Sequence, residues 1–190
     1  MFHETEPFSG WLTFYDSEAD ENGPFYGIEP NLLDYERFIY TFPAHPLWDD
    51  IGSDSLLVKV LFADYQEGYA IIELFGEWND IHLNDFKLLA ENVFTYLLDY
   101  QVNKIILICE NVFHIYLDSD DYYQELQEEL EDGWVCAIRT REEVYREMDH
   151  YGIDRFIYRN ANFDQLQWRK LNPWELFQLV DECISKLLPR

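Results

Sequence analysis

The chain has 190 residues, 48% of them hydrophobic and 18% aromatic, enough to bury one sizeable core and too few for two ordinary domains. Thirty-eight acidic against thirteen basic residues give a formal charge of −25, a field that repels phosphate backbones and anionic membranes and so argues against nucleic acid and membrane partners. The excess is no tail, because residues 1–67 hold 14 acids and 2 bases and the remainder 24 and 11.

Residues 1–55 are rich in aromatics (Phe8, Trp11, Phe14, Tyr15, Trp48 among them) and broken by five prolines, a texture that predicts an extension with short strands near Gly10 to Tyr15 and Arg37 to Phe42. Its first residues lack the basic start and apolar stretch of a secretory signal, and the longest aliphatic run, Ile105 to Cys109, is too short to span a bilayer. A cytoplasmic location follows as an expectation. The three cysteines, Cys109, Cys136 and Cys183, are odd in number and set in apolar segments, as reduced core thiols are.

From Leu56 the pattern becomes regular. Leu56 to Ala63 and Tyr69 to Gly76 read as an antiparallel hairpin, and pairing Ala63 with Tyr69 sets Lys59 opposite Glu73. A helix is predicted from about Leu83 to Tyr100, burying Phe86, Leu89, Ala90, Val93, Tyr96 and Leu97, followed by an apolar central strand from Lys104 to Cys109. The run Asp118, Ser119, Asp120, Asp121 suits the start of a second helix with Tyr122, Leu126 and Leu130 inward, stopped by Gly133. A strand from Trp134 to Arg139 leads to Thr140 with Glu143 three residues on, a capping-box pattern, and a further strand is predicted from Ile153 to Tyr158. Asn172, Pro173 and Glu175 open a last helix burying Leu176, Leu179, Val180, Cys183 and Leu187. The fold class is therefore α/β, a mixed sheet with an antiparallel hairpin followed by right-handed β-α-β crossovers over residues 56–190. The face left open by one-sided crossovers is assigned to the aromatic extension, with a homodimer as the other candidate.

Over residues 56–158 this order resembles the STAS domain of bacterial anti-sigma-factor antagonists. Gly76, Glu77, Trp78 and Asn79 at the end of the hairpin are similar to the family's Gly-Glu-Leu-Asp, and Leu117, Asp118, Ser119 and Asp120 open a helix after the central strand. The resemblance implies a non-catalytic regulatory module that binds proteins. The family's turn reads Asp-Ser-Ser-Gly with its phosphorylated hydroxyl after the first serine. Here Asp120 and Asp121 stand in those last two positions, so Ser119 is the nearest candidate phosphosite, in a setting whose like charges oppose a phosphate.

Other chemistry is weaker. On a strand, Cys109 and His114 fall on opposite faces, and Glu110 would stand about 13 Å from His114. Asp16 to Asp20 has calcium-loop spacing, but Glu21 occupies the glycine position and Gly27 the closing glutamate position. His45 and Asp49 need distant residues to form a metal site. There is no glycine-rich phosphate cradle and no nucleophile elbow, so no cofactor is expected and the reading leans against catalysis. The strongest charge feature is Glu110 to Asp132, nine carboxylates with no Lys or Arg between Lys104 and Arg139. Its candidate partner surface is Asp118, Asp120, Asp121, Tyr122, Glu125, Glu128 and Glu129, with Tyr122 or Tyr123 as aromatic anchor, facing a basic protein. Alternatives are an acidic immunity or inhibitor protein for a basic toxin or nuclease, and an enzyme whose site the sequence does not reveal.

Overall fold

The structure, a computed structural model, describes residues 6–33, 35, 37–119 and 121–187. Its centre is a five-stranded sheet in the order β3 (Leu56–Asp64), β4 (Tyr69–Asn79), β5 (Lys104–Tyr116), β6 (Trp134–Ile138) and β7 (Ile157–Tyr158). The β3–β4 pair is antiparallel and the other three pairs are parallel, which is the mixed α/β sheet expected. Lys59 lies opposite Glu73, although Ala63 pairs with Ala70 and not with Tyr69. A bulge between Val60 and Phe62 absorbs the one-residue difference. The two charges share a face but take other partners: Lys59 Nζ donates to Glu18 and Asp49, and Glu73 accepts from the Phe8 amide.

Between β4 and β5 the predicted single helix is broken into α1 (Asp80–Leu83), α2 (Asp85–Leu89), a π turn (Ala90–Phe94) and α3 (Thr95–Asp99). Asn84, left-handed at φ 53°, separates the first two. The π turn inserts a residue that rotates the following face, so Phe94 is buried and Tyr96 is 48% exposed. With α4 (Asp121–Glu129) and α5 (Glu142–His150), these helices pack on one face of the sheet, in a core that includes Phe86, Leu97, Leu126 and Met148 against Ile105, Leu107 and Ala137.

The opposite face is shared by the N-terminal segment and α6 (Pro173–Leu187): Trp11, Phe163, Trp168, Leu176, Val180 and Ile184 cover Ile71, Ile106, Ile108 and Cys136. Each fully buried aliphatic side chain of α6 stabilises by about 1.5–3 kcal/mol before entropy is counted. The α6 start is a reciprocal cap, with Asn172 and Glu175 exchanging backbone-to-side-chain bonds of 2.9 Å in both directions. Ile184 is buried where Leu179 and Leu187 were expected, and those two are 38% and 55% exposed.

Other local expectations are corrected. Residues 10–14 form turns and no strand. Residues 37–42 are no single strand but parts of a hairpin, β1 (Phe38–Ile39) with β2 (Phe42–Pro43), turning at Tyr40 with φ 56°. The N-cap of α5 is Arg141 without a side-chain bond, and the Thr140 hydroxyl is buried without a hydrogen-bond partner, so the capping box there does not form. The predicted strand at 153–158 is a 3-10 turn (Ile153–Arg155) followed by only the two residues of β7. Gly76, at φ 122°, lets the Ser55 carbonyl approach to where a Cβ would lie 2.1 Å from its oxygen, while Glu77 donates its amide to the same oxygen at 2.8 Å.

Candidate functional site: the acidic helix and the end of the central strand

Helix α4 is fixed by one residue the sequence placed ambiguously. Tyr123 is buried, stacks on Phe86 at 3.8 Å between centroids, and donates its hydroxyl to Asp80 Oδ2 at 2.6 Å. Asp80 also accepts from the Phe86 amide at 2.8 Å and the Trp78 indole at 3.2 Å. Burial nevertheless pushes its carboxyl up to about 6, these donors working in the other direction. Asp85 beside it accepts from the Asn79 amide and the Ser55 hydroxyl, and its carboxyl is also raised, chiefly by burial. The pair joins the end of β4, the start of α2 and α4, so these carboxylates are engaged in holding the elements together. Pattern reasoning missed them; their signal was the two Asn-Asp dipeptides, 79–80 and 84–85, at the entrances of short helices.

With Tyr123, Leu126 and Leu130 inward, the outer face of α4 carries Asp121, Tyr122, Glu125, Glu128 and Glu129, all exposed. Tyr122 is therefore outside the stripe in which it was predicted, and Tyr123 is removed as an anchor. Asp118 and Ser119 are exposed just ahead of the helix, and Glu131 and Asp132 just after it. Asp120 lies outside the described residues. Among the described residues none of these carboxylates has a basic partner within 4.0 Å, and Lys87 Nζ lies 5.4 Å from the Tyr122 ring centroid. The last turn of α4 holds no basic residue, so Glu128 and Glu129 oppose the negative end of the helix dipole.

Glu110 is not part of this surface. It accepts from Arg139 at 2.7 Å, from Arg169 and from the Trp168 indole, and the Arg139 and Arg169 guanidinium groups keep its carboxyl below the usual range against the effect of burial. Strand β5 also runs seven residues past the predicted end at Cys109, to Tyr116. The Cys109 thiol is buried and pushed up to about 12 by desolvation, which makes it a poor nucleophile, while His114 is exposed farther along the strand.

Beside the end of β5 and the approach to α4 lies a cleft of about 240 Å³ lined by Ile81, His114, Tyr116, Leu117, Glu143 and Glu147, among others. A second, more open cavity of about 450 Å³ adjoins it at His114 and Glu143 and includes Tyr40, Phe113 and Arg141. Among the described residues no cluster of three or more His, Cys, Asp or Glu is arranged to hold a metal ion, and no helix is long and apolar enough to cross a membrane. Asp16, Glu18 and Asp20, from the calcium-like loop, are engaged locally or with Lys59, Tyr15 and Tyr65.

No family model and no curated protein matches the chain. Among solved structures it is similar to a Thermotoga maritima protein described as an anti-sigma factor antagonist, with 21% identity and a TM-score of 0.38 over 54% of this chain and 82% of that one. At that overlap the functional reading rests on this chain's own residues.

Proposed function

We propose that the chain is a non-catalytic, cytoplasmic protein-interaction module of regulatory type, STAS-like in residues 56–158, that docks a basic protein on the outer face of α4. Residues 1–55 serve in this reading as an extension packed on the sheet. The observation that carries it is the set of exposed carboxylates on and around α4, Asp118, Asp121, Glu125, Glu128 and Glu129, without a basic partner among the described residues. Exposed carboxylates at the C-terminal end of a helix are locally unfavourable, and a local rule broken without structural compensation marks a surface kept for another purpose. Tyr122, 38% exposed beside them, supplies the amphipathic ring that interface anchors favour.

Charge docking of this kind accelerates encounter and weakens as salt screens it. The test is affinity capture with the intact chain from a lysate of the organism that encodes it, followed by a salt series on the captured protein. An affinity that does not change with salt, or that survives reversal of Asp121, Glu125 and Glu128 to Lys, overturns the proposal. The identity of the captured protein, a regulator in one case or a toxin or nuclease in the other, separates a signalling module from an inhibitor.

A further inference from the structure

Helix α5 and the end of β5 together line the cleft of about 240 Å³. Glu143, Glu147 and Tyr151 are spaced four residues apart, the interval that aligns side chains on one face of a helix, so they form a ridge of about 12 Å along α5 and its C-cap. On β5, His114 and Tyr116 share the exposed face, their rings 6.2 Å apart, while Ile115 between them turns inward with 4% exposure. Ile115 and the buried Val144 supply an apolar floor, and Ile81 of α1 adds an apolar wall.

The lining narrows the chemistry of an occupant. Glu143 and Glu147 are exposed and form no ion pair among the described residues, and among those residues no Lys or Arg lines the cleft. Arg141 belongs to the adjoining cavity, where it is stacked 4.9 Å from the Phe113 ring and donates to the Glu110 carbonyl at 3.3 Å. Two carboxylates without a counter-charge, in a chain of formal charge −25, disfavour an anionic ligand. Among the described residues the His, Cys, Asp and Glu side chains are not grouped to hold a metal ion, and a hard cation gains nothing from an apolar floor. Ile81, Tyr116 and Tyr151, 44%, 42% and 38% exposed, instead suit a ligand with an apolar body and cationic ends.

We propose that this cleft binds a linear aliphatic polyamine, two of its ammonium groups on Glu143 and Glu147 and its methylenes over Ile81, Ile115 and Val144. The spacings match: side chains four apart on a helix stand about 6 Å from each other, and ammonium groups joined by three or four methylenes stand about 5–6 Å apart at carbon–carbon bonds of about 1.5 Å. A third ammonium group of a triamine falls near Tyr151, and an aromatic ring attracts a cation. The inference goes beyond protein docking and does not depend on α4, because it concerns another helix and another class of ligand.

The probe is spermidine, titrated into the isotope-labelled full chain at about 0.15 M salt, where loosely held counterions are screened, and followed by amide chemical shifts. Binding should saturate, with the shifts concentrated at residues 114–117 and 143–151. E143Q/E147Q removes only exposed charge and should weaken it at least about tenfold with the circular dichroism unchanged. Butylamine, with one ammonium group, should bind at least about tenfold more weakly than putrescine, which has two. Y151L should lose about threefold for spermidine and keep the parent's affinity for putrescine. Shifts spread along α4, an equal loss with E125Q/E128Q, or equal displacement by magnesium at the same concentration mean diffuse counterion binding and overturn the proposal. Butylamine binding as tightly as putrescine overturns the pairing with two carboxylates, and a Y151L loss shared by both amines, or absent, overturns the place given to the third ammonium group. A dissociation constant weaker than about 1 mM, the weak end for a specific complex, also overturns the site. The salt series on a captured protein remains the separate test of docking on α4.

Discussion

Replacing Glu73 by Gln should make the protein more stable at high pH and change how its stability depends on pH. Glu73 sits on β4 with 1% exposure, its Oε2 accepting the Phe8 amide at 2.8 Å and its Oε1 3.5 Å from the nearest Arg169 nitrogen. Burial raises its carboxyl from 4.5 to about 7, the Phe8 amide and Arg169 recovering only part of the ionised form. The folded chain therefore holds a proton that the unfolded chain has released between those values. Stability from this group is fully present below pH 4.5 and is lost as pH rises through about 7. A difference of that size corresponds to about 3 kcal/mol, most of it developing between pH 5 and 8. Gln keeps an acceptor for Phe8 and does not titrate. Urea unfolding at fixed ionic strength should show E73Q gaining about 2–3 kcal/mol on the parent protein from pH 5 to pH 8. Asp49, which burial raises to about 7, is common to both proteins and cancels to first order in the comparison. An E73Q-minus-parent difference that is the same at the two pH values would refute the reasoning.

Tyr123→Phe keeps the stack on Phe86 but removes the donor to Asp80 Oδ2, and should cost about 1–3 kcal/mol in chemical unfolding, with α4 the first helix to lose exchange protection. Gly76→Ala drives a Cβ into the Ser55 carbonyl and forces a positive φ on alanine, so thermal unfolding should report a loss of about 3 kcal/mol or more. E128K/E129K removes two charges that oppose the α4 dipole and should stabilise by about 0.5 kcal/mol in the same assay while weakening partner binding. A destabilised double variant would mean that those carboxylates serve the fold.

Most of the sheet was legible because its strands carry long apolar runs: β3, β4, the first half of β5 and β6 fall where the pattern places them, and Lys59 stands opposite Glu73. The α6 cap was legible because Asn172, Pro173 and Glu175 act within one turn. What failed was decided by partners distant in sequence. Helical spacing cannot foresee a π turn whose Asn92 side chain donates to the Ile51 carbonyl, nor choose Tyr123 over Tyr122 without Asp80 and Phe86 to hold it. Thr140 and Glu143 fit a capping pattern, yet burial turned the threonine inward. The second half of β5 reads as a mixed polar and aromatic stretch, and its pairing with β4 is what makes it a strand. For the candidate site, the acidic composition of α4 was plain, but the network that removes Glu110 from it spans residues 110, 139, 168 and 169 and has no local signature.

The most direct measurement is the salt dependence of partner affinity for the parent chain and for D121K/E125K/E128K, read by surface plasmon resonance with the captured protein immobilised. The account predicts that the parent's association rate and affinity fall steadily as salt rises and that the triple variant loses at least about tenfold in affinity at low salt while keeping its fold by circular dichroism. An affinity that is independent of salt and unchanged by the three reversals would contradict it.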